Sequence, residues 1–152
     1  MKNKDDFSKF SEGNYISFRV KQDYFAFAKI LNIENEKATI EYPNEHNNAS
    51  YVKIDGLNFD KFDGIETHIV WFEDYFGFDK KEKPNYLYRR KTPNFILTIY
   101  IEADGTKKVV LFDKSANQVI YSEYYEKLYV HQLQNMYYFF TGNILESLYD
   151  KR

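Results

Sequence analysis

Residues 15–42 read YISFRVKQDYFAFAKILNIENEKATIEY, three runs of alternating apolar and polar side chains separated by two short polar turns. In the first run Ile16, Phe18 and Val20 fall on one face and Tyr15, Ser17 and Arg19 on the other, the period of two expected of a half-buried strand. Lys21, Gln22 and Asp23 make the turn. The second run, 24–31, is apolar on both faces apart from Lys29, which predicts a central strand, and Ala26 and Ala28 leave room for a close neighbour. Residues 32–37 interrupt the pattern, after which Ala38, Ile40 and Tyr42 alternate with Thr39 and Glu41. The stretch is predicted to be a three-stranded antiparallel meander.

Pro43 and the following NEHNN end that meander, because proline has no ladder donor and asparagine tolerates turn geometry. A further strand is expected at 50–54, a structured loop at 56–66, a strand at 67–72, irregular chain through 73–85, and a short edge strand at 86–90. The clearest hairpin is 95–112, where FILTIYIE and KKVVLF flank Asp104-Gly105, a pair suited to the positive φ angles of a type I′ turn. A last strand is expected at 119–121. From 122 onward the period lengthens: Tyr125, Tyr129, Leu133, Met136, Phe140, Ile144 and Leu148 recur every three or four residues, one face of an amphipathic helix broken at Gly142-Asn143 and laid on a sheet. The sum is an α+β chain of about seven or eight antiparallel strands and a C-terminal helix. The expected organisation is a single domain over 1–152, with a loose polar arm at 1–12, mainly β structure at 13–121 and mainly helix at 122–150.

A chain of 152 residues can bury roughly 68 to 70% of the surface its unfolded form exposes, enough for a core without staples. Aromatic residues make up 20% of it, 15 Tyr and 14 Phe among them, which puts many rings with polar tips at core edges or on binding surfaces. Net charge is −2, neither the field of a general nucleic-acid binder nor that of an acidic mimic. Its distribution is uneven: residues 1–76 carry 9 Lys and Arg against 14 Asp and Glu, and residues 77–152 carry 12 against 9. The chain contains no cysteine, which removes disulfides and thiolate metal sites. The opening MKNKDDFSKF lacks the apolar segment of a signal peptide, so a cytoplasmic location is expected. No run reaches the roughly 18 apolar residues of a membrane span, so no membrane partner is expected.

Residues 13–42, with Tyr24-Phe25-Ala26-Phe27-Ala28-Lys29-Ile30-Leu31 followed by a turn and a strand ending in Tyr42, resemble the start of SH3-like and Tudor-like barrels. They also resemble the opening of bacterial toxin-immunity proteins of the immunity-26 group, with Ala28 standing where that group tends to have glycine. The first resemblance implies a partly open SH3-like barrel as the form of the sheet. It also implies an aromatic cage for a cationic or planar ligand walled by Tyr24, Phe25 and Tyr42, since ring faces attract cations. The competing assignment of those rings is cross-strand packing.

Two further clusters stand out. Residues 71–79, WFEDYFGFD, gather rings and carboxylates. Trp71, Glu73, Asp74, Tyr75 and Phe76 are the expected contact set for a protein partner, because exposed rings ringed by acids suit a hot spot; the alternative is a loop that plugs the core with Phe76 and Phe78. Residues 80–91, KKEKPNYLYRRK, interleave cations with tyrosines. Lys80, Lys81, Lys83, Tyr86, Tyr88, Arg89 and Arg90 are the candidate nucleic-acid contacts, cations for phosphates and rings for bases, against the plainer role of a solvated face. His46, His68 and His131 lack metal-ligand spacing, so no metal and no cofactor are expected. Catalysis would require the fold to assemble a site from scattered groups such as His68, Tyr88 and Arg90.

These features point to a non-enzymatic protein-binding antagonist, a toxin-immunity protein, antitoxin or phage-type anti-defence inhibitor that neutralises a protein partner by covering its surface. The alternative is a barrel module that binds nucleic acid or peptide.

Overall fold

The computed structural model describes residues 7–47, 49–81 and 86–147. The chain divides into two compact units, one drawn from 1–65 and 129–135, the other from 66–128 and 136–152. Each contains one five-stranded antiparallel sheet, so the described residues form ten strands and one C-terminal helix. The α+β class with an antiparallel framework is therefore the observed one. Neither sheet closes on itself, which leaves room for a partly open barrel but not a closed one.

The first sheet is built from β1 (Tyr15–Lys21), β2 (Tyr24–Glu34), β3 (Lys37–Pro43), β4 (Tyr51–Asn58) and β5 (Phe62–Gly64), in the order β4-β3-β2-β1-β5. The meander forms as its alternation requires. Ile16 stands opposite Ala28 and Ile30 opposite Ile40, and all four are fully buried. The small Ala26, Ala28 and Ala38 let Phe18, Val20, Ile33, Val52 and Ile54 close over them. Residues 56–66, expected as loop, instead extend β4 to Asn58, make a tight turn at Phe59–Lys61 and return as β5 beside β1. Phe62 supplies the reason: it is buried against Phe10 and Phe59, ring centroids 5.1 and 5.5 Å away. Within the expected arm, residues 1–6 lie outside the described residues, whereas 7–12 are tied down. Phe7 is buried, and the Phe7 and Lys9 carbonyls accept from Asn135 Nδ2 at 3.0 and 2.8 Å.

The second sheet comprises β6 (Asp79–Lys81), β7 (Tyr86–Lys91), β8 (Phe95–Ile101), β9 (Lys107–Asp113) and β10 (Gln118–Tyr125), in the order β10-β9-β8-β7-β6. β7 is thus interior rather than the expected edge. The edge is β6, three polar residues held by the backbone ladder to β7 with no apolar pattern to announce them. The hairpin at 95–112 forms, but its turn differs from type I′: only Gly105 has positive φ (89°), and its N–H donates to Glu102 O at 3.0 Å. That is a type I turn closed by a left-handed glycine.

Two expectations about period fail for a common reason. Residues 67–72 do not form a strand; the chain makes one wide helical turn at Trp71–Tyr75, with the Phe76 N–H donating to Trp71 O at 2.8 Å. A strand would send Trp71 and Phe72 to opposite faces, whereas this turn buries both. The helix, α1, spans Val130–Thr141, later than expected. Tyr121 and Tyr125 belong to β10, where a spacing of four satisfies a period of two as well as one of 3.6, and their hydroxyls bond to each other. Gln132 Oε1 accepts from the Tyr129 N–H at 2.9 Å at the start of α1. The helix stops at the expected Gly142, whose N–H donates to Tyr138 O. Ile144 lies beyond it and is exposed, and Leu148 is outside the described residues.

Candidate binding face

The 71–76 cluster is interior rather than an outward anchor. Trp71 and Phe76 are 1% and 3% exposed, packed with Tyr75 and each other at ring distances of 4.4 and 5.6 Å. Phe72 stacks on Tyr88 at 5.1 Å and meets Phe78 at 5.7 Å, so the plug alternative describes this loop. Glu73 is engaged within the same unit, accepting from Tyr88 Oη at 2.9 Å and pairing with Lys80 Nζ at 3.5 Å. Of the expected contact set only Asp74 is exposed, and Ile69 and Val70, just before the turn, are exposed as well. The core side of the second sheet presents Tyr88, Leu97, Ile99, Val109 and Leu111, all buried, and Phe72 stacks on Tyr88 of that side.

The expected cage does not converge either. Strand alternation sets Tyr24 and Tyr42 toward the first core, and burial beside Tyr24 raises the Tyr42 hydroxyl pKa. Phe25 points the other way, 53% exposed, with the Arg19 guanidinium 4.8 Å from its ring centroid.

The same alternation divides the cationic run. Lys80, Tyr88 and Arg90 face the core side of the second sheet: Tyr88 is fully buried, and Arg90 Nη1 donates to the carbonyls of Phe76 (3.2 Å) and Glu146 (2.5 Å). Lys83 lies outside the described residues, as does the Tyr86 side chain. Lys81 and Arg89 point to the opposite, outer face, and register brings them residues that the linear run does not contain. One row across the strands reads Lys81, Leu87, Tyr100, Lys108, Tyr124. The next reads Asp79, Arg89, Thr98, Val110, Ser122, and the third reads Lys91, Ile96, Phe112, Val119. Strands lie about 4.8 Å apart, so the first row crosses roughly 19 Å.

Among the described residues of the paired strands, this face carries the cations Lys81, Arg89, Lys91 and Lys108 against the single acid Asp79. Among the described residues Lys81, Arg89 and Lys91 make no ion pair, and Lys108 Nζ sits 5.3 Å from the Tyr124 ring centroid. Tyr124 and Val119 are 52% and 53% exposed, while Tyr100 and Phe112 lie half-buried along the sheet. Lys108, Tyr100, Phe112 and Tyr124 were legible only through register, since in sequence they alternate with the core positions of the same strands, whereas Lys91 closes the linear run.

Among the described residues no group of three His, Asp or Glu is placed to hold a metal ion. Ser8, Asp63 and His131 line one open groove in the first unit. The His131 Nε2 bonds the Ser8 main-chain carbonyl at 3.0 Å, and the Ser8 hydroxyl accepts from Gln132 Nε2 at 3.3 Å, so the ring and hydroxyl are not coupled as base and nucleophile. His46 and His68 are exposed. Among the described residues no helix is long and apolar enough to cross a membrane.

No family model, curated protein or solved structure matches the chain.

Proposed function

We propose that the chain is a non-enzymatic nucleic-acid-binding protein whose working surface is the outer face of the second sheet. The observation that carries this is the gathering of Lys81, Arg89, Lys91 and Lys108 on the outer side of the sheet among rings and apolar residues, with Asp79 the only acid among the described residues of the paired strands. Among the described residues Lys81, Lys91 and Lys108 face no carboxylate across the ladder and remain available to neutralise phosphates, and counterion release then supplies affinity. Tyr88, Lys80 and Arg90 serve the fold, so the binding set is smaller and differently composed than the linear run suggested. The antagonist alternative, an inhibitor covering a protein partner, draws support from the exposed Ile69, Val70 and Asp74 rather than from the buried Trp71 and Phe76.

Titration of a fluorescein-labelled oligonucleotide, followed by anisotropy from 50 to 300 mM salt, tests the proposal. Four phosphate contacts predict a slope of log K against log salt near −3, and Lys91→Gln and Lys108→Gln should each flatten it by about 0.7. An affinity that ignores salt, or no binding at 50 mM, would remove nucleic acid as the partner.

A further inference from the structure

Resting on that proposal, we infer that the ligand is single-stranded and lies across the β-strands along the row Tyr100, Lys108, Tyr124, with bases on the two rings and the backbone at the lysine between them. The row is set by register. Tyr100 on β8 and Tyr124 on β10 both stand opposite Lys108 on β9, so ring, cation and ring alternate at intervals of about 4.8 Å. Leu87 and Lys81 continue it toward β6. A lysine beside a ring face holds the ring and phosphate sites in fixed relation, and the Lys108 Nζ to Tyr124 distance of 5.3 Å shows the two already adjacent.

The rings distinguish a single strand from a duplex. Bases in a duplex are stacked on one another and expose only their edges, whereas unstacked bases offer the faces that tyrosine rings cover. A duplex could use the four cations but would gain nothing from Tyr100 and Tyr124. The neighbouring row adds Arg89 and Ser122 on either side of the buried Thr98, polar groups that suit backbone or base-edge contacts, and the row beyond is the apolar Ile96, Phe112 and Val119. The face therefore grades from ring and cation through polar to apolar, with the first row matching a flexible polyanion that carries planar groups.

The test compares a labelled dT12 strand with a 12-base-pair duplex at one salt concentration. Its variants are Tyr100→Val with Tyr124→Val, which keep strand-forming side chains, and the corresponding Phe substitutions. The expected result is a preference of wild type for the single strand and about a tenfold or greater loss of that affinity in the Val double variant. Duplex affinity should stay unchanged, the salt slope of the single strand should be preserved, and the Phe variants should bind like wild type. Equal losses on both ligands, or none on either, would overturn the inference. Salt-dependent binding of both ligands with equal affinity would leave the phosphate-binding proposal standing and sink only the single-strand assignment. Binding of neither would sink the proposal itself. Binding of poly-glutamate as tight as dT12 would move the partner to acidic proteins and overturn both.

Discussion

The two sheets have the same number of strands and the same antiparallel sense, yet their outer faces are furnished differently. On the first, three of the cations meet an acid across the ladder: Lys29 faces Glu41, Glu41 faces Lys53, and Lys37 faces Glu34, while Arg19 lies over the ring of Phe25. Thr39 Oγ1 donates to Asp55 at 3.2 Å on the same side. On the second, the partners of Lys81, Arg89, Lys91 and Lys108 include Leu87, Thr98, Ile96, Tyr100 and Tyr124, and only Arg89 has an acid opposite. A face with balanced charge is satisfied by itself and by water. A face with surplus cations among rings lowers its energy by acquiring anions. Overall net charge conceals this because it averages both sheets.

The largest effect should come from removing the ring cluster under the second sheet. Trp71 is fully buried against Tyr75 and Phe76, so Trp71→Ala should cost about 3 to 5 kcal/mol of stability, read by urea unfolding followed by circular dichroism. A variant that stays within about 1 kcal/mol of wild type while losing partner binding would return Trp71 to the role of a contact residue. Because Trp71 is the only tryptophan, fluorescence in the wild type reports the second unit and circular dichroism reports both sheets. The two probes can therefore be compared within one experiment.

How much of this was legible in the chain follows from the same contrast. The first sheet announces itself, because Ile16, Phe18, Ala26, Ala28, Ile30, Ala38 and Ile40 alternate with polar residues and the period is unambiguous. The hairpin at 95–112 was equally clear. What failed were segments where one spacing fits two periods, as at Tyr121 and Tyr125, or where rings are consecutive, as at Trp71 and Phe72. β6 had no apolar signal at all, since an edge strand of Asp79, Lys80 and Lys81 is held only by backbone bonds. The proposed face was half visible. The cationic run drew attention to Lys81 and Arg89, but strand parity assigns every second member of the run to the core. Tyr100 and Lys108 lie on the two arms of the expected hairpin, and Tyr124 falls in a segment whose spacing reads as helix, so the linear chain carries no sign that the three share one row.

A smaller effect belongs to the first unit and should appear as a dependence on pH. His131 is buried beside Phe10 at 4.6 Å and Tyr129 at 5.8 Å, with Gly64 packed so closely that an added Cβ would lie 2.8 Å from its Cε1. Its Nε2 bonds Ser8 O, and its Nδ1 is buried without a partner. Desolvation lowers its pKa below the ordinary 6.5, outweighing the bond to Ser8. Asp63, on the same groove, is exposed, and its charge is screened by water. The native state thus prefers the neutral ring, and the unfolded state binds the proton more readily. Stability is full above the ordinary pKa and falls as pH drops toward the depressed one, by at most about 1.4 kcal/mol per pH unit over that interval. His131→Gln should flatten the difference in unfolding free energy between pH 7.5 and 5.5. An unchanged difference would mean that other groups carry it.

The smallest effect separates the two hairpins. In the first sheet the β2–β3 turn places Asn35 and Glu36 at φ 54° and 62°, both in the left-handed region. Asparagine tolerates that region, whereas glutamate pays for the approach of its Cβ to the carbonyl by roughly 1 kcal/mol. In the second sheet the corresponding strain is relieved by Gly105 at φ 89°, with open space around it. Glu36→Gly should therefore raise stability by about 0.5 kcal/mol, the relief being partly offset by the extra freedom of glycine in the unfolded chain. Gly105→Ala should lower it by about 1 kcal/mol for backbone reasons alone, because an added methyl meets nothing within 4 Å. Urea midpoints at a common m-value measure both changes. Opposite signs would show that the first hairpin folds against a local preference which its tertiary packing overrides, while the second hairpin folds with its local preference.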